Sequence, residues 1–411
     1  MSNGVSATGV QDRWWVNWRT WGGIAGLAAA ILVAAFLNQT ALRLAVFWLF
    51  GLGFGFILQR SRFCFAAAFG DLFLLRDGRV MKGILAGLAV ATVGFALIMY
   101  NLVPTNLGLG ILPLNGFVLP LGFHLLLAGV LFGLGMVVAG GCFAGTFYRI
   151  GEGYVASVVT LGGILVGMGL LLFNWNWWWQ SYISLLPYVW LPHSLGWVGA
   201  ILLTLAVLVI VYLLVRWWES RGGVIAKPAH VEPGAATLRD KLVNLRRVIL
   251  IKAWPVALGG VLLGMLNTFL YLFERPWGLT GELSRWSSSL LGLIRLPPPE
   301  PIGAAGPCVI GGESPELLTW GLMINGGMIF GSFIGALLAG EFKVRLPRQK
   351  RRYLQAFIGG SLMGYGAGLA AGCTIGAFFS SVPSLGLNGL VFGGALALGA
   401  FLGVQVIKRI G

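Results

Sequence analysis

The sequence predicts an all-α polytopic membrane protein, with about ten transmembrane helices and short re-entrant helices arranged as two inverted structural repeats. Three observations predict it. Of 411 residues, 57% are hydrophobic and only 10% charged, and the mean hydropathy is +0.86; a soluble domain carries about 25% charged residues to cover its surface. Apolar runs near the roughly 20 residues needed to cross the hydrocarbon recur along the chain. A glycine-cysteine motif also occurs twice, as AGGCFAGTF at 139–147 and AAGCTIGAF at 370–378.

In chain order the spans fall at 22–37, 44–58, 81–102, 122–140 and 155–173, then at 196–216, 253–273, 318–339, 354–371 and 386–407. The first is the shortest, and no small-x-small cleavage site follows it, so it reads as a span rather than a signal peptide. The chain divides into an N-terminal extension with an extra span (1–43), a first repeat half (44–216), a basic linker (217–252) and a second half (253–411). Within the linker, TLRDKLVNLRRVIL has the amphipathic spacing of a helix lying on a membrane surface.

The formal charge is +15, but the positive residues sit in short segments between spans, as cytoplasmic loops require. One cluster runs from Arg216 to Lys252 and a second from Lys343 to Arg352. Basic loops beside spans are routine, so no nucleic-acid partner is expected; the bilayer is the partner. With both clusters inside, the Pro- and Gly-rich segment 274–317 lies outside, and an even number of spans puts both termini in the cytoplasm.

Laying Cys142 on Cys373, 231 residues further on, brings Gly129 onto Gly360, Gly133 onto Gly364, Gly135 onto Gly366 and Gly145 onto Gly376. The pair Gly162-Gly163 then meets Gly393-Gly394. Five crossings separate the two copies, so they are inverted, the plan on which many secondary transporters build a site near the midplane. Cys64 aligns with the GLTG stretch around Gly278, where the second half has no cysteine.

The segments Gly141–Gly145 and Gly372–Gly376, including Thr374, follow glycine-patterned spans and suit a sharp turn into a short half-helix. Exposed amides at such a start attract anions, and a neutral thiol beside them is a weak donor on a polarizable atom. That combination suits a soft, sulfur-bearing anion. Helix packing by small residues is the competing explanation for one copy, and it accounts poorly for two inverted copies with cysteine at equivalent places. Arg62, close to Cys64, is an ionisable group near membrane depth with either a positive-inside or a binding role.

The four cysteines (Cys64, Cys142, Cys308 and Cys373) contain no CxxC pair, and the three histidines are scattered, so no metal site, cofactor or catalytic residue is expected. No phosphate-cradling loop is present either.

The strings QRSRFCFAAAFGD, GMVVAGGCFAGTFYRIGEG, GSFIGALLAGEFKVR and GYGAGLAAGCTIG, in order across 44–408, resemble the YeeE/YedE family of bacterial sulfur-transport membrane proteins. The resemblance implies uptake of thiosulfate across the inner membrane, along a path on which three cysteines hydrogen-bond to the passing ion. These fall on Cys64, Cys142 and Cys373. It also implies two inverted halves and a cytoplasmic sulfurtransferase of the TusA type as partner. Cys308 matches none of these strings and reads as a loop feature. The chain is therefore expected to be a transporter and no enzyme. The alternatives are another sulfur or selenium species as cargo (sulfide, polysulfide, a selenium oxyanion), a membrane thiol-disulfide oxidoreductase joining Cys142 to Cys373, and a structural membrane subunit.

Overall fold

The computed structural model describes residues 18–102, 112–113, 115–222, 250, 252–303 and 318–410. The linker helix, Cys308 and His230 lie outside the described residues. Each of the ten expected spans falls on a long helix: α1 (Trp18–Thr40), α2 (Leu42–Ser61), α4 (Arg79–Leu102), α5 (Phe123–Ala139), α7 (Val155–Ser181), α8 (Leu191–Ser220), α9 (Val256–Phe273), α11 (Trp320–Leu338), α12 (Arg351–Leu369) and α13 (Leu387–Ile410). Between them lie α3 (Phe65–Leu74), α6 (Phe143–Gly151), α10 (Thr280–Leu293) and a π-helical turn (Thr374–Ser380), each too short to cross a bilayer. Among the described residues there is no strand, only isolated bridges. Among the described residues nine helical stretches are long and apolar enough to span, α2 running on into α3 and α5 into α6 in two of them, and the bent α12–π pair makes a tenth.

The lipid-facing surface explains the composition. Leu32 (70% exposed), Val198 (69%) and Leu213 (57%) stand out from α1 and α8, an arrangement that water would penalise and hydrocarbon does not.

The repeat is visible in the contacts themselves. Helix α5 crosses α12 antiparallel. A Cβ added to Gly135 would lie 2.6 Å from the Gly359 oxygen, and one added to Gly366 would lie 2.7 Å from the Ala128 oxygen. Shifting Gly135 and Ala128 forward by the repeat interval gives Gly366 and Gly359, so the two contacts are one contact seen from both ends of a pseudo-twofold axis. Only glycine allows the backbones this close. The same exchange relates α7 on α12 to α13 on α5, and α11 on α2 to α4 on α9. On the flanks, α1 packs against α11 and α8 against α4.

One expectation is corrected. An added Cβ on Gly167 would lie 2.8 Å from the Ser361 carbonyl carbon, and one on Gly399 would lie 2.8 Å from that of Val130. These matched contacts put Gly167 opposite Gly399, so the interval is 232 in this region and Gly162 corresponds to Gly394, not to Gly393. The cause is one extra residue between Cys373 and α13 relative to the stretch between Cys142 and α7. A π-turn, with its wider i→i+5 ring, is how a helix absorbs an inserted residue. The first half has an α-helix at this place and the second half the π-turn.

Candidate functional site

Each of the three expected cysteines stands at the N-cap of a short helix: Cys64 before α3, Cys142 before α6 and Cys373 before the π-turn. All three are free and buried, with 1% exposure or less. At Cys142 and Cys373 the chain does this by a break within one span, with a bend of 50° between α12 and the π-turn. Helix α5 ends on Gly140 (φ 78°), and α12 is followed by its repeat mate Ala371 (φ 48°), both left-handed. Each break leaves a glycine (Gly141 or Gly372) and then the cysteine in extended conformation.

Cys142 and Cys64 form one station. The Gly145 amide donates to Cys142 Sγ at 3.3 Å, and the two thiols lie within hydrogen-bonding reach of each other. Thr146 ties the turn down, its amide and hydroxyl donating to the Cys142 carbonyl at 2.7 and 2.9 Å.

Cys373 forms the other station. The place that Cys64 holds in the first half is taken here by Thr280, the first residue of α10. Its Oγ1 accepts the Cys373 amide at 2.8 Å. The amides of Leu279, Ile375 and Gly376 lie within reach of the thiol. The sequence pointed to the GLTG stretch as the partner of Cys64 without assigning it a role; that stretch supplies a hydroxyl in place of a thiol. The stations are joined by aromatic rings. Phe65 meets Phe378 and Phe379 at centroid distances of 6.4 and 5.7 Å, and Phe147 meets Trp286 at 6.3 Å.

A cavity reaches each station from its own end of the fold. The larger, about 700 Å³, touches Cys64 and lies at the basic end. Its lining holds five cations (Arg62, Arg149, Lys343, Arg345, Arg352) against two carboxylates, Glu152 and Glu341, a balance that concentrates anions. Arg62, left-handed at the C-cap of α2, sits at this mouth paired with Glu341 at 3.0 Å rather than beside the thiols. Burial raises the Glu152 carboxyl above the usual range, opposed by the Gln59 amide donating at 3.3 Å. The smaller cavity, about 240 Å³, is lined by Thr280, Gly376 and Gly278 at its floor and by Arg275 and Trp320. The Phe117 ring closes over that floor: an added Cβ would lie 2.9 Å from it at Gly278 and 3.2 Å at Gly376.

Two arginines sit at the buried end of α5: Arg149, which the sequence did not single out, and Arg352, which it placed only in a basic cytoplasmic cluster. Arg149 donates to the Gly140 carbonyl, and Arg352 donates to those of Val138 and Ala139 at 3.3 Å each. They satisfy carbonyls that a helix end leaves open and bring positive charge beside Cys142. For Arg149 the signal was present: it follows Cys142 by seven residues, two helical turns, and so shares its face of α6.

Inverted halves, half-helices meeting inside the bundle and a cavity at either end define a multi-span membrane transport protein. The chain belongs to the sulphur transport family, whose model matches residues 60–402. It is 30% identical over 355 residues to the thiosulfate transporter TsuA of Spirochaeta thermophila, covering 83% of this chain and 92% of that protein. It is 29% identical over 327 residues to the thiosulfate transporter TsuA of Escherichia coli, covering 78% and 82%.

Proposed function

We propose that this chain imports thiosulfate across the bacterial inner membrane, with the basic end facing the cytoplasm. The observation that carries the reading is the set of three buried free thiols at half-helix starts, lying between two cavities at opposite ends of the fold. The names of the two relatives support the cargo.

The ion enters the smaller cavity, displaces the Phe117 ring and meets Cys373 with the amides of Gly376 and its neighbours. It passes the aromatic layer to Cys142 and Cys64, then leaves through the arginine-lined cavity. Stripping water from a dianion is costly, so each station replaces hydration with donors: amides, hydroxyls and protonated thiols. The nearest counter-charge, Arg149, is already engaged by the Gly140 carbonyl, which tempers its hold on the ion. The arginines act at the exit, where they draw the ion inward. Gly141 and Gly372 leave room for the turn that presents each cysteine. No covalent step is needed. A cytoplasmic TusA-like sulfurtransferase then consumes the cargo at the basic face and keeps flow inward.

The test is uptake by purified protein in vesicles, with thiosulfate, hydrosulfide, polysulfide and selenite each offered as the labelled ion. The reading expects thiosulfate to enter fastest and to be driven by its own gradient. Preferential uptake of another of these ions would replace the cargo, and uptake of none would remove the function.

A further inference from the structure

We infer that the station at Cys373 recognises the oxygen-bearing end of its anion through two hydroxyls, Ser284 and Thr374. The identity of the anion rests on the transport reading above; the recognition of oxygen does not.

In membrane helices a buried serine or threonine ordinarily donates back to the carbonyl four residues earlier. This protein follows the habit at Ser61, Thr92, Thr160 and Thr204. Ser287, on the same short helix as Ser284, donates across to the Leu165 carbonyl instead. Among the described residues, the hydroxyls of Ser284 and Thr374 are wholly buried and have no hydrogen-bond partner. A buried hydroxyl without a partner is destabilising, and two near one cysteine call for a reason.

Their placement supplies it. Thr374 directly follows Cys373. Ser284 is one helical turn beyond Thr280 on the same face of α10, and Thr280 is the residue that accepts the Cys373 amide and lines the floor of the smaller cavity. Neither hydroxyl lines the smaller cavity itself, so both belong to the buried side of this station, where an arriving ion would next need donors. The opposite station has the reverse character, with two thiols, Cys64 and Cys142, and its threonine, Thr146, already engaged. The pair of stations is thus oxygen-selective at one end and sulfur-selective at the other. A sulfur anion with an oxyanion head fits both. An oxygen-free anion such as hydrosulfide satisfies only the thiols.

The test uses sulfite and hydrosulfide as probes on the full chain. Their binding to purified protein is measured by the shift in thermal unfolding, and their competition with thiosulfate in vesicle uptake. Ser284→Ala with Thr374→Val is expected to weaken sulfite by roughly tenfold or more, the loss of hydrogen bonds to a charged group, and to leave hydrosulfide within twofold. Ser284→Thr and Thr374→Ser, which keep the hydroxyls, are expected to retain wild-type sulfite binding and show that any loss is not misfolding. Unchanged sulfite binding in the double variant, or equal losses for both probes, would overturn the inference. Failure of wild-type thiosulfate uptake with sulfite binding intact would instead remove the transport reading alone.

Discussion

The Gly145 amide donates to the Cys142 sulfur at 3.3 Å, and the same glycine lies against Cys64, so that an added Cβ would sit 2.8 Å from Cys64 Sγ and 3.5 Å from Cys142 Sγ. A glycine here leaves just enough room for two thiols to share one place. Gly145→Ala is expected to push Cys64 aside and reduce thiosulfate uptake at least tenfold. The fold should survive, since the nearer contact is with one movable side chain, at a cost of about 1–3 kcal/mol. Gly162→Ala, where an added methyl meets nothing within 4 Å, is the control and should transport normally. Vesicle uptake with thermal unfolding of both variants checks this.

Ala371 holds a left-handed conformation (φ 48°) at the place where the first half has Gly140 (φ 78°). A side chain there costs about 1–2 kcal/mol relative to glycine, set against the added freedom glycine gives the unfolded chain. Ala371→Gly is therefore expected to raise stability by up to about 1 kcal/mol, with uptake unchanged. Thermal unfolding in detergent reads it directly. A clear loss of stability would contradict the strain.

How much of this was legible in the sequence follows from what each feature depends on. The ten spans were, because hydrocarbon thickness imposes a length and a polarity that local composition must satisfy. The glycine register of α5 against α12 was too, because backbone approach admits no other residue. The one-residue slip beyond the cysteines was not: Gly162-Gly163 and Gly393-Gly394 coincide at the expected interval, and only packing reveals that a π-turn has moved the frame. Thr280 and Ser284 were also missed. Hydroxyls are common in membrane helices, and nothing local marks those that lack a partner. Arg149 is readable from its spacing to Cys142, two helical turns along the same face.

Burial raises the Glu152 carboxyl above the usual carboxylate range. The charged form is therefore disfavoured in the folded state. The sign is fixed: the penalty is fully present above the folded value, and it disappears as pH falls below the ordinary unfolded value. Between those two values, wild-type stability should gain from acidification, and Glu152→Gln should lack that contribution. Thermal unfolding from neutral to mildly acidic pH, compared between the two, checks it. Identical pH slopes would show that Glu152 is not held in this way. Because the carboxylate shares the cavity with Arg149 and Arg352, Glu152→Gln is also expected to speed anion exit or leave it unchanged, not to slow it.

The most direct measurement is initial uptake of labelled thiosulfate into vesicles holding the wild-type chain or Cys64→Ala, Cys142→Ala or Cys373→Ala, each first shown to elute as a folded protein. Passage by successive thiol contacts predicts that the wild-type chain fills the vesicles and that each variant falls at least tenfold. Full uptake by all three variants would contradict it, for the ion would then be crossing without the residues on which the path depends.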